Sequence, residues 1–383
     1  MKINQIYTIL NDINEQLWGH DALAVHDLRG LISLGTTIGN AAGYDQYLNV
    51  LVDRIGKTVI RRLDLELDFP SLYMDEFSFG AILQKITVDP LPGQSSNDWT
   101  VGSGGFTPSL LAISKPSVSV KYFSGADTAS FIVTVPFDLM DSAFQSEAGV
   151  SNFFDAIISA LQDSLTMSIN NMSRTAVNNF IAEKIKATNG VINLLTEYNS
   201  LFTPTLTQAE AILSPAFLRF AAARIKQYVE YLAQPSELYN VGGKLRATKR
   251  DNMHILANSE FAINSQVYLE SDTYWKEMLS LPGYTSVPYW QGNHTAGGDN
   301  DFATNSTVNV IPSSEEGQLS PTAVNQSGVI MVLADRQAIA VGLNKRRSAT
   351  FTNPIDAYTN IKQEFTTQWI NDTDESGIIF LCA

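Results

Sequence analysis

Cysteine is almost missing from this chain. Cys382 is the only one and lies beside the C-terminus, so no disulfide framework can staple the fold. Histidine is scarce too. His20 and His26 fall on different faces of a weak helix, His254 sits in an apolar stretch and His294 in a polar one. No HExxH, CxxC or similar metal-ligand spacing occurs, which argues against zinc sites and histidine-based catalysis. Charge is thin, at 17% of residues, and its balance is acidic, with a net charge of -14. Recognition of nucleic acid needs a basic footprint, so that class is disfavoured. The basic runs Lys244, Arg246, Lys249, Arg250 and Lys345, Arg346, Arg347 are too short to reverse the sign. No apolar run reaches the roughly 18 residues that cross a bilayer, and no membrane contact is expected. Asp12 and Glu15 interrupt the N-terminal segment where a signal peptide needs unbroken apolar sequence. A soluble, reducing compartment is the expectation.

What is present is an ordinary apolar content of 44% with abundant Ser, Thr, Asn and Gln. A surface poor in ions and rich in neutral polar groups suits protein contact, because burying a hydroxyl or amide costs less than burying an ion. The remaining chemical motifs are weak. Gly102-Ser103-Gly104-Gly105 lacks the GK[ST] of a phosphate loop. Asp372-Thr373-Asp374-Glu375-Ser376-Gly377 resembles the start of a calcium loop, but Ala383 stands where a bidentate Glu is required; a turn between strands is the better reading. Asp299-Asn300-Asp301 reads as solvated loop. No cofactor, no metal and no enzymatic activity are expected.

The chain order is informative. Residues 1–50 mix weak helix with a glycine-rich arm, and LVDRIGKTVIRR (51–62) leads into LDLELDF (63–69). There Leu63, Leu65, Leu67 and Phe69 alternate with Asp64, Glu66 and Asp68, the pattern of a half-buried strand with one acidic face. FSFGAILQKITV (77–88) and the alternating KPSVSVKYFS (115–124) flank DPLPGQSSNDWTVGSGG (89–105), which can form neither helix nor regular strand. A long hairpin with an irregular tip fits that arrangement. From Ser151 to about residue 188 the apolar spacing predicts one long helix, with Ser151 as N-cap and Gly190 as stop. A second helix runs from the Ser214 cap and Pro215 to Pro235. MHILAN (253–258) predicts a buried strand, and a helix capped by Ser259 follows. Residues 291–327 read as a long polar loop. Two apolar strands surround Asp335-Arg336, and the last segment predicts strands joined by NDTDESG (371–377). The class is α+β, with no βαβ rhythm and no internal repeat.

This succession resembles the major capsid proteins of tailed bacteriophages, the Johnson fold, and among them those of short-tailed phages with small, protein-primed genomes. The residues that carry the resemblance are LVDRIGKTVIRR (51–62), FGAILQKI (79–86), KPSVSVKYFS (115–124), FDLMDSAFQSEAGVSNFFDAIISAL (137–161), HILANSEFAINSQVYLESDTYWKEML (254–279) and GVIMVLADRQAIAV (328–341). Residues 89–114 and 291–327 depart from the pattern. The resemblance implies an N-terminal arm over 1–50 and a peripheral domain over 51–190, with an extended loop at 72–135 and a spine helix at 151–188. An axial domain over 191–345 follows, and C-terminal strands at 346–383 return to the peripheral domain. It implies self-assembly into pentamers and hexamers of an icosahedral head in the virion, built in the bacterial cytoplasm. Scaffolding and portal proteins are the implied partners, with double-stranded DNA packaged without sequence-specific contact. An encapsulin-like bacterial compartment is the alternative. The extended loop would lie on a neighbouring subunit, with Trp99 or Phe106 as anchors. Lys345, Arg346 and Arg347 are expected to meet Asp64, Glu66 and Asp68 within or between subunits.

Overall fold

A computed structural model describes residues 10–11, 14–15, 69–74, 82–88, 116–139, 147–270, 283–292, 303–315 and 319–383. Along the chain come β1 (Tyr73–Met74), β2 (Leu83–Val88), β3 (Val118–Phe123), β4 (Ala126–Pro136) and the helix α1 (Glu147–Ala187). They are followed by β5 (Val191–Asn193), α2 (Leu194–Leu201), α3 (Gln208–Leu213), α4 (Pro215–Leu232), β6 (Met253–Asn258) and α5 (Ser259–Glu270). The short strands β7 (Thr285–Val287), β8 (Gln291–Gly292), β9 (Ala303–Asn305), β10 (Val308–Val310) and β11 (Val324–Gln326) precede β12 (Val329–Asp335), β13 (Ile339–Asn353), β14 (Tyr358–Asn371) and β15 (Gly377–Leu381).

The 41 residues of α1 span about 60 Å at 1.5 Å per residue. The helix begins four residues before the expected cap, so Ser151 lies within it and is not the N-cap. It ends as expected, with Thr188 and Gly190 at positive φ (51° and 70°) turning the chain into β5. The cap of α4 is also as read: the Ser214 hydroxyl accepts from the Phe217 amide at 3.5 Å, with Pro215 in the first turn. The cap of α5 is not. Asn258 Oδ1 accepts the Glu260 amide at 3.0 Å, while the Ser259 hydroxyl bonds that of Ser286 at 2.7 Å.

Two sheets share α1. The five-stranded sheet runs β5-β15-β12-β6-β7, and the four-stranded sheet runs β1-β13-β14-β4. The central strand of the first, β12, is buried almost throughout because both faces are covered. Met331 and Leu333 of β12, with Ile378 and Phe380 of β15, pack under α2, α4 and α5. Their alternates Val332, Ala334, Ile379 and Leu381 face Val177, Phe180 and Ile181 of α1. Farther along the same helix, Leu165 and Ile169 meet Leu343 and Phe365 of the second sheet. One helix thereby closes two cores, and β13, 15 residues long, passes from one packing region to the other.

Two expectations change here. Residues 291–327 are not one irregular loop: among the described residues they hold β8 to β11, braced on polar side chains of α1. Asn178 Nδ2 donates to the Trp290 carbonyl at 2.8 Å, Asn179 Oδ1 accepts the Ser313 amide at 2.8 Å, and Glu183 Oε1 accepts the Ser314 amide at 2.7 Å. The C-terminal strands also do not travel as a block. β14 pairs with β4 and β13 in the four-stranded sheet, whereas β15 pairs with β12 and β5 in the other. NDTDESG joins two strands as expected, and it carries the chain from one sheet to the other.

Candidate functional site: a two-stranded ribbon and its charged base

β2 and β3 pair antiparallel, from Leu83 opposite Phe123 to Val88 opposite Val118, and form a two-stranded sheet of their own. Alternation sorts their side chains onto two unlike faces. One face carries Val88 with Val118, Ile86 with Val120 and Gln84 with Tyr122. These apolar groups are exposed, Ile86 to 60% and Tyr122 to 66%. A two-stranded ribbon is marginal in water by itself, and a contiguous apolar face on it marks a contact surface.

The opposite face carries Lys85 and Lys121, direct cross-strand partners. Like charges facing each other across a ribbon repel. The turn between β14 and β15 answers them. Lys85 Nζ lies 2.8 Å from Asp372 and 2.7 Å from Glu375, and Lys121 Nζ lies 3.0 Å from Asp372 and 2.5 Å from Asp374. Arg246 Nε adds a third cation, 3.3 Å from Glu375. Burial pushes the Asp372 carboxyl up, but Lys85 and then Lys121 outweigh it and hold the group below the usual carboxylate range. Burial likewise pulls Lys121 down, and Asp374 and Asp372 overcome it, leaving the ammonium above its ordinary value.

The backbone around this cluster is tightly held. The Val241 amide donates to the Thr373 carbonyl at 2.9 Å, and the Gly377 amide to the Tyr239 carbonyl at 2.9 Å. Gly242 lies so close that a β-carbon there would sit 2.3 Å from Asp374 Oδ1. Beneath it, Lys184 of α1 is fully buried, with Nζ 2.6 Å from the Tyr239 carbonyl and lying over the Phe180 ring. Burial pulls its pKa down to about 7, against the opposing charge of Asp374.

Where β3 becomes β4, the ribbon leaves the four-stranded sheet. Ser124 and Gly125 make that break, and the Trp369 indole lies over Gly125, with its Cε2 2.7 Å from where a β-carbon would be.

Of the residues singled out from sequence, Asp64, Glu66, Asp68, Trp99 and Phe106 lie outside the described residues. Lys345, Arg346 and Arg347 are on β13, where alternation separates them. Arg346 turns inward, its guanidinium over the Phe365 ring and donating to Gln363 Oε1 at 3.0 Å. Lys345 and Arg347 are exposed opposite Thr366 and Glu364, and the Arg347 charge adds to that of Lys362 in lowering the Glu364 carboxyl. The three therefore do not act as one basic patch. The sequence reading passed over Lys85 and Lys121. A lysine amid each alternating apolar strand was the available signal, but its acidic partners lie 251 residues or more away along the chain.

The family model described as Phi29-like phage major capsid protein matches residues 9–371. A chain in the capsid structure of Staphylococcus phage Andhra is similar in fold, with a TM-score of 0.52, 10% identity, and coverage of 82% of this chain and 84% of that one. A chain in the structure titled head fiber and inner core protein gp22 of native bacteriophage P68 is similar to the same degree, with TM-score 0.52 and 10% identity over 83% of this chain and 85% of that one. No curated protein matches the sequence.

Proposed function

The chain belongs to the Phi29-like phage major capsid protein family, and from that premise we propose that its copies close five- and six-membered rings by laying the β2–β3 ribbon on a neighbouring subunit. The protein is a structural component of an icosahedral phage capsid, with the mixed α+β Johnson fold of tailed-phage heads, and its family is not one of enzymes. It self-assembles into the shell of the virion. A phage family also disfavours the bacterial compartment alternative.

The observation that supports the ribbon's role is the exposed apolar face formed by Ile86, Val88, Val118, Val120 and Tyr122. Such a face costs solubility on a lone subunit and is offset when another chain covers it. Trp99 and Phe106, in the connection beyond Val88, extend the same proposal as anchors, since large aromatics concentrate binding energy. Division of the chain into arm (1–50), peripheral (51–190) and axial (191–345) domains, with scaffolding and portal proteins as partners and double-stranded DNA as contents, belongs to this reading too. Lys345 and Arg347, exposed on β13, remain available to meet Asp64, Glu66 and Asp68 of this or another subunit.

The test is to put a charge on the apolar face. Ile86→Asp with Val120→Asp is expected to leave the subunit folded, judged by circular dichroism and melting, and to lower the yield of shells seen by electron microscopy by about tenfold or more, as for loss of an interface hot spot. Undiminished shells from that variant would refute the ribbon's part in assembly.

A further inference from the structure

The inner face of the ribbon poses a separate question. Two lysines directly opposite one another are a liability that a strand pair ordinarily avoids. They become favourable only when carboxylates are set between them, and Asp372, Asp374 and Glu375 are so placed. These carboxylates come from the turn that joins the two sheets. Asp372 and Glu375 are almost wholly buried. The Asp372 amide donates to the Ala338 carbonyl at 2.7 Å, and Asp372 Oδ1 also accepts the Asp374 amide at 3.1 Å. The charged groups that converge here are Lys85 and Lys121 from the ribbon, Arg246 from the loop after α4, Lys184 from α1, and the three acids.

We propose that Lys85 and Lys121 form an electrostatic latch, clasping the base of the ribbon to the turn 372–375 and setting its angle about the Ser124-Gly125 break. The latch rests on the reading of the ribbon as the arm that reaches a neighbour. Charge rather than apolar packing suits a fastening that can be undone, because ion pairs yield to a competing charge and re-form without repacking a core. Each lysine is shared between two acids, but Lys121 is the half that opens first, being 41% exposed where Lys85 is 18% exposed. A neighbouring subunit that brings its own carboxylate to Lys121 would free Asp374 and let the ribbon swing while Lys85 still tethers it.

Hydrogen–deuterium exchange on full-length protein, kept as unassembled subunits, tests the latch. In Lys85→Gln/Lys121→Gln, amides of residues 83–88 and 118–123 are expected to exchange about tenfold faster, with residues 329–335 unchanged, because only a local opening has been eased. Should the glutamine variant not fold, Lys121→Gln alone, which leaves Lys85 on Asp372 and Glu375, is expected to speed exchange in the same two segments to a smaller degree. Unchanged exchange in the ribbon, or equal acceleration in residues 329–335, would overturn the latch. Shell formation is scored separately. Faster ribbon exchange in the glutamine variant together with undiminished shells from Ile86→Asp/Val120→Asp keeps the latch and removes the ribbon's part in assembly, and unaltered exchange with shells lost in the apolar-face variant does the reverse.

Discussion

Lys184 is a full-length cation inside the protein, and its surroundings explain why it is tolerated. Its Nζ lies over the ring of Phe180, in the core shared by α1 and the five-stranded sheet, and donates to the Tyr239 carbonyl. The ordinary value of 10.5 falls to about 7 in the folded chain through burial. Between these two values the unfolded chain holds a proton that the folded chain has lost, so stability rises as pH climbs from about 7 towards 10.5, and the cost of the buried charge is fully present below 7. Lys184→Met is expected to flatten that dependence and to raise stability at neutral pH by about 1–3 kcal/mol, read by urea unfolding of unassembled subunits at a series of pH values. The Tyr239 carbonyl keeps its bond from the Gly377 amide, so the variant strands no acceptor. A retained pH slope would show that another group is responsible. The sequence did not single out Lys184: it falls at helical spacing with Phe180 and Ile181, but nothing local distinguishes a core lysine from a solvated one.

At the scale of elements, close approach decides what the chain can carry. The C-terminal strand β15 crosses α1 where Phe180 leaves no room for a side chain: a β-carbon on Gly377 would lie 2.6 Å from Phe180 Cζ and 3.1 Å from the Leu333 carbonyl oxygen. Gly377→Ala is therefore expected to lower stability by about 1–3 kcal/mol, the cost of overpacking a filled core, measured as a fall in melting temperature; an unchanged melt would show that α1 yields freely. Apolar period announced α1, α4, β12 and the start of β13 because those elements bury one or both faces. It failed for β8 to β11. These are two or three residues long, too short to show a period, and are ordered by pairing with each other, by Val308 buried against α1, and by Asn178, Asn179 and Glu183 holding the chain beside them. The β14–β15 turn was legible, but its destination was not, because a turn signal carries no information about which sheet the next strand will join.

For the whole molecule, a net charge of -14 makes like subunits repel as they come together. Moderate salt screens charges beyond about 8–10 Å, so the initial rate of shell formation, followed by light scattering, is expected to increase from low salt to about 0.15 M. Slower assembly over that range would contradict the prediction. The latch beneath the ribbon is built of largely buried contact pairs, which salt screens much less, so the rise in rate reports net charge over the surface.

Composition and period determined the α+β class, the long helix, the apolar strands and the paired runs that make the ribbon, because each depends on side chains a few positions apart. Serial order of those pieces was enough for the resemblance to a capsid protein. Tertiary structure alone decided that β14 and β15 part company, that Arg346 turns away from Lys345 and Arg347, and that Lys85 and Lys121 close on acids hundreds of residues downstream. Ion pairs of that kind have no period and no preferred spacing along the chain; they exist only once separate segments have been folded to within about 4 Å.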